Sequence, residues 1–98
     1  MDIVDVRKLA WNRRNVVAFM ATVDVGTVKS TYDFADDFIA HHGIDPNSGI
    51  GGIFYDIVNN MCAGFDYLIR VGDVSVHRDN EGLPHLTILK HSGLSPVN

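Results

Sequence analysis

The residues of this chain with the most available chemistry are five histidines and one cysteine. His77 and His85 flank the polar stretch Asp79-Asn80-Glu81-Gly82. If the segments on either side pair as strands, the two imidazoles meet across the loop, with Asp79 as a third donor, the kind of set that suits a divalent transition ion. Neither the HExxH nor the CxxC spacing of a zinc site is present. Ordinary surface histidines are therefore the plainer expectation, and no metal or cofactor is assigned. Asp37 and His41 stand one helical turn apart and could pair as a general base and its orienter. A nucleophile would have to come from Ser30, Ser75, Ser92 or Cys62, and none sits in a strand–turn–helix elbow. The simpler reading is a helix-stabilising i,i+4 contact. No catalytic residue follows, and a non-enzymatic protein is favoured over a small histidine-based hydrolase. Cys62 cannot form an internal disulfide. It follows Met61 in an apolar run and has no cationic neighbour, so a buried, unreactive thiol is expected.

Two glycine-containing stretches invite a phosphate. Asn47-Ser48-Gly49-Ile50-Gly51-Gly52 precedes a helical pattern, where glycines let backbone N–H groups point at an anion. No Lys-Ser/Thr follows, and Asp45 and Asp56 would repel phosphate, so a turn between helices is expected. Asp24-Val25-Gly26-Thr27, after an apolar run, resembles the phosphate-binding strand–turn of actin-like and sugar-kinase ATPases. That family needs two large domains and a second phosphate loop, which 98 residues do not supply. The four residues read as a turn.

The carboxylates are the stronger signal. Eleven of the twelve acidic residues are Asp. Residues 24–66 carry seven of them against Lys29 alone, whereas residues 1–23 carry Arg7, Lys8, Arg13 and Arg14 against Asp2 and Asp5. A formal net charge of −4 argues against general nucleic-acid binding and favours a basic partner. Arg13-Arg14, next to Trp11, could touch a phosphate or an acidic partner, or simply decorate the surface.

The elements that must position these groups follow from periodicity. In Thr31 to His42, Phe34, Ala35, Phe38 and Ile39 share one helical face while Asp33, Asp36 and Asp37 take the other. Ser30 is placed to cap this helix, and Gly43 with Ile44 to end it. From Gly49 to Cys62, Ile50, Ile53, Phe54, Ile57, Val58 and Met61 form a second amphipathic stripe that Ala63-Gly64 would close. Asp2 to Asn12 reads as a short leading helix capped by Asp2. Asn15 to Val25 is apolar on both faces and rich in β-branched residues. This favours a buried strand, with one helix from Ile3 to Thr22 as the alternative. Phe65, Tyr67, Ile69 and Val71 alternate, and the apolar parity shifts after Gly72-Asp73, which suggests two strands meeting in a tight turn. Leu83 to Lys90 is a further strand, confined by Pro84 to an edge or a strand start. His91 to Asn98 reads as a loose tail.

The expectation is one α+β domain over residues 1–98. It is a two-layer sandwich with a short N-terminal helix, one strand, a central helix pair and a C-terminal antiparallel meander. The start is not that of a signal peptide and no apolar run is long enough for a membrane helix, so a cytoplasmic protein is the default. The function expected is a small acidic interaction module, an inhibitor or regulator. It would dock Asp33, Asp36 and Asp37, with Asp56, on a basic, nucleic-acid-binding surface of a partner protein. Its competitors are a histidine-based metal protein or hydrolase and a homo-oligomeric subunit pairing through the Leu83–Lys90 edge.

Overall fold

The computed structural model describes residues 2–45 and 51–92. Among these, four helices and a three-stranded antiparallel sheet enclose one apolar core, the α+β architecture that the sequence predicts. The expectations resting on Pro46 to Ile50, and on most of the tail, lie outside the described residues. No described helix is long and apolar enough to cross a membrane.

Helix α1 spans Ile3–Trp11 and opens on the expected capping box: the Val4 N–H donates to the Asp2 carboxylate at 3.1 Å, and the Asp2 N–H to Asp5 at 3.3 Å. Val6 and Ala10 are its buried residues. Asn12, in extended conformation, stops α1 and caps the next helix by accepting from the Arg14 N–H at 2.9 Å. That next element, α2, spans Arg13–Met20 and corrects the expected strand over Val16–Val25. Val16, Val17, Phe19 and Met20 are buried while Ala18 is exposed, so tertiary packing of one helical side overrides β propensity. The alternative of one long helix fails at Asn12 for the same reason that α2 begins there. In the Asp24–Thr27 segment the Thr27 N–H donates to the Asp24 carbonyl at 3.1 Å and Gly26 takes φ +92°, a turn as expected.

Strand β1 is Val28–Ser30, and α3 follows at once over Thr31–His41. Ser30 caps α3, its hydroxyl accepting from the Asp33 N–H at 3.1 Å. Gly43 at φ +81° closes it, and Ile44 folds back on the core. Helix α4 runs over Ile53–Arg70, well past the expected stop at Ala63-Gly64. Its buried residues Ile57, Val58, Met61, Gly64, Phe65 and Leu68 continue one i+3/i+4 stripe, which corrects the strand expected from Phe65 onward. Gly64 is a notch, not a stop. A Cβ there would lie 2.6 Å from both Cβ and Cγ1 of Val16, so the glycine lets α2 lie against α4.

Gly72, at φ +84°, turns the chain into β2, Val74–Arg78, which pairs with β3, Pro84–Ile88. The sheet order is β1-β3-β2, all antiparallel. Pro84 is the first residue of its strand, where no ladder donor is missed. The Leu83–Lys90 segment is thus the central strand and not an edge, which removes it as a route to strand pairing between copies. The edges are β1 and β2. Val74, Leu86 and Ile88 join the core with Phe34, Phe38, Ile39, Ile57 and Met61.

Candidate functional site

Three places bring chemistry-bearing side chains together. The first is the exposed side of α3. Asp33, at the helix start, forms no ion pair among the described residues although its charge reaches Lys29, while the Asp37 carboxylate accepts from Lys29 Nζ at 2.7 Å. That bond is the main reason the Lys29 ammonium titrates above its usual range. Asp36 is half-buried, and its carboxyl is pushed up by burial first and by Asp33 and Asp37 second. Three of the four expected docking carboxylates are thus brought together, and one of those three is neutralised locally. Asp56 is not with them. It lies on the flank of α4 facing α1, 3.5 Å from the Arg7 guanidinium. The residues that periodicity missed here are Tyr32 and Tyr55. Tyr32 stands edge-to-face with Phe54 at 5.9 Å and with Tyr55 at 6.1 Å. Both tyrosines remain open to solvent, at 41% and 58% exposure. No sequence signal marks them as a pair, because Tyr32 and Tyr55 meet only through the packing of α3 beside α4.

The second place is the β2–β3 hairpin. His77 and His85 are register partners and their rings stack at 5.5 Å, as the loop reading anticipates. His85 Nε2 lies 3.0 Å from Asp79 Oδ2. Asp79 Oδ1 accepts from the Glu81 and Leu83 N–H groups at 2.9 and 3.0 Å. The His85 bond first, and these amides after it, hold the Asp79 carboxyl below its usual range. Asp79 therefore organises the loop. Among the described residues, no group of three His, Cys, Asp or Glu converges where an ion could sit. Two of the other histidines pack on aromatic rings: His41 lies edge-on to Phe19 at 5.3 Å and His42 to Phe38 at 4.7 Å. Burial, then His41, lowers the His42 pKa. With Asp37 bonded to Lys29, the Asp37–His41 pair of a catalytic arrangement is not formed. Cys62 is exposed, not buried as expected, but its Sγ bonds the Val58 carbonyl at 3.4 Å. Desolvation, then Asp66, raises its pKa and keeps it a thiol.

The third place is the flank of α4 facing α1 and α2. Arg7, Lys8, Trp11, Asp56 and Asn60 line a recess of about 480 Å³. Arg13, Ala63, Asp66, Ile69 and Arg70 line a second, of about 520 Å³. No protein-family model, curated protein or solved structure matches this chain.

Proposed function

We propose that the protein is a non-enzymatic recognition module. It docks the exposed side of α3, with the tyrosines beside it, on a basic surface of a partner protein such as a nucleic-acid-binding groove. The observation that carries this reading is the exposed Tyr32–Tyr55 pair next to Asp33 and Asp36, which form no ion pair among the described residues. Rigid aromatics supply contact energy at interfaces and accept cations on their faces. Carboxylates around them speed encounter with a basic partner and reject acidic ones. Asp37 and Asp56 drop out of the docking set, because each is answered by a cation of the same chain.

A second reading is favoured by topology. From α2 onward, helix, strand, helix, helix and then a hairpin with sheet order β1-β3-β2 is the layout of winged helix-turn-helix modules, with α3 and α4 as the helical pair, the β2–β3 loop as the wing and α1 as an additional leading helix. In such modules the second helix reads the major groove of duplex DNA. Here residues 42–52 separate the two helices, longer than the usual turn of about 3–4 residues. Asp33 and Asp36 on α3, and Asp79 and Glu81 in the β2–β3 loop, also put negative charge on the helical pair and the wing, where duplex binding needs Lys and Arg. The layout supports duplex binding, and the charge supports a protein partner.

An amide-resolved NMR titration separates them. An arginine-rich peptide is expected to shift Tyr32, Asp33, Asp36 and Tyr55 saturably, and Asp33→Asn/Asp36→Asn to weaken it about tenfold with a flatter salt dependence. Saturable shifts confined to α4 and residues 77–83 on adding duplex DNA would favour the second reading. An unchanged affinity in the double variant would remove the first.

A further inference from the structure

Trp11 is the most exposed large apolar residue described, at 75%. It is also the chain's one tryptophan. Its position follows from the geometry of α1. Val6 and Ala10 point into the core, so Trp11 falls outside the buried stripe, on the side that carries Arg7 and Lys8 at i−4 and i−3. The three residues share the first recess with Asp56 and Asn60 of α4. The second recess lies further along α4, where Ala63, Asp66, Ile69 and Arg70 line it with Arg13 of α2. Asp56, Asn60, Ala63, Tyr67 and Arg70 are spaced i, i+4, i+7, i+11 and i+14, one stripe roughly 21 Å long at 1.5 Å per residue. Arg13 lies over the Tyr67 ring at 4.7 Å and lines that second recess with Arg70. The track therefore carries Arg7, Lys8, Arg13 and Arg70 against Asp56 and Asp66. Lys8, Arg13 and Arg70 form no ion pair among the described residues. The one pair on the track, Arg7–Asp56, is long at 3.5 Å and open to water on both sides, so an incoming phosphate can replace it.

We infer that this track is a binding site for single-stranded nucleic acid, with Trp11 as the stacking platform for a base and the surrounding Arg and Lys as phosphate contacts. An exposed indole has a π-face that any unpaired base can cover, whereas bases already stacked in a duplex cannot reach it. A recess of this size suits one base with its sugar. Asp56 at its wall can accept from a base amino group once released from Arg7, and Asn60, whose Nδ2 donates to the Arg7 carbonyl at 3.1 Å, can offer its Oδ1 to a base edge. The whole-chain charge of −4 does not decide the matter, because eight of the twelve carboxylates lie outside α1, its cap and α4. On α4 the track is turned about 160° from Phe54, on which Tyr32 packs, and about 100° from Tyr55.

Trp11 makes the test direct. The native chain is titrated with a twelve-nucleotide oligo(dT), an oligo(rU) of the same length, the corresponding duplex, and a poly-glutamate peptide, following indole fluorescence at about 0.05 M salt. The expected result is saturable quenching by the single strands, with log affinity falling by about 0.7 per phosphate contact for each unit of log salt. Trp11→Ala, followed by anisotropy of a labelled strand, is expected to weaken binding about tenfold or more. Lys8→Gln/Arg13→Gln retains the indole reporter and is expected to weaken binding and lower the salt slope by one to two contacts. Thermal melts check that each variant is folded. Three results would each overturn the inference: no saturable quenching at low salt, binding of poly-glutamate or duplex as tight as the single strands, or unchanged binding in both variants.

Discussion

Asp36 sits half-buried between Asp33 and Asp37, and its carboxyl is held above the ordinary range, chiefly by burial. A group raised on folding stabilises the fold when protonated, and that contribution is lost as pH rises through the folded value. Asp36→Asn is therefore expected to raise the melting temperature by about 1–3 °C at neutral pH and to leave it unchanged near pH 3. Melts at the two pH values check this. Asp79 behaves in the opposite sense. Its carboxyl is lowered by the His85 bond and by the Leu83 and Glu81 amides, so the loop is held together above the unfolded carboxylate value and loosens as pH falls through the folded one. Below that point the Glu81 and Leu83 amides are expected to lose hydrogen-exchange protection ahead of the β2–β3 ladder. Asp73 is a further aspartate that ties the fold together. It is buried, its carboxylate accepts from the Ser92 N–H at 3.0 Å and its carbonyl from the Leu89 N–H at 2.8 Å.

Between elements, the contact that decides the architecture is Val16 against Gly64. Gly→Ala in a helix interior ordinarily gains about 1 kcal/mol of propensity. Here the added methyl would stand 2.6 Å from two atoms of a β-branched side chain with little freedom to move aside. Gly64→Ala is expected to destabilise by about 1–3 kcal/mol. Adding Val16→Ala should recover part of that loss, and a double-mutant cycle by urea denaturation would read the coupling. An additive cycle would show that the two helices do not meet as described. Gly64 was legible in the sequence as a glycine, but its meaning was not: a stop and a notch differ only in what lies on the far side of it. The same holds for Phe65–Val71, whose alternation is compatible with a strand until Leu68 is seen to continue the buried stripe of α4.

At the scale of the whole molecule, all four helices and strands β2 and β3 feed one cluster of buried apolar residues, so no part has a core of its own. A single cooperative transition is expected, with coincident near- and far-UV circular dichroism melts. Phe38→Ala, at a position with no exposure, is expected to cost about 3–5 kcal/mol, a large share of the stability of a chain this size. The charge is segregated across the fold: carboxylates line the outer side of α3, and cations line the junction of α1 and α2. An overall charge of −4 is therefore a poor guide to what either surface attracts.

What the sequence by itself determined was local. The caps at Asp2 and Ser30, the glycine stop at Gly43, the amphipathic stripes of α1 and α3, and the pairing of His77 with His85 across a tight loop are all set by residues within a few positions of one another. Only the tertiary structure decided the rest, because each depends on a partner distant in the chain. Residues 16–20 are helical because α4 offers them a groove at Gly64, and β3 is central because β1 reaches it from far upstream. Asp56 belongs with Arg7 rather than with the aspartates of α3. Periodicity records which side of an element is buried and is silent about what buries it, so the two tyrosines and the Trp11 track could be located only once the helices were packed.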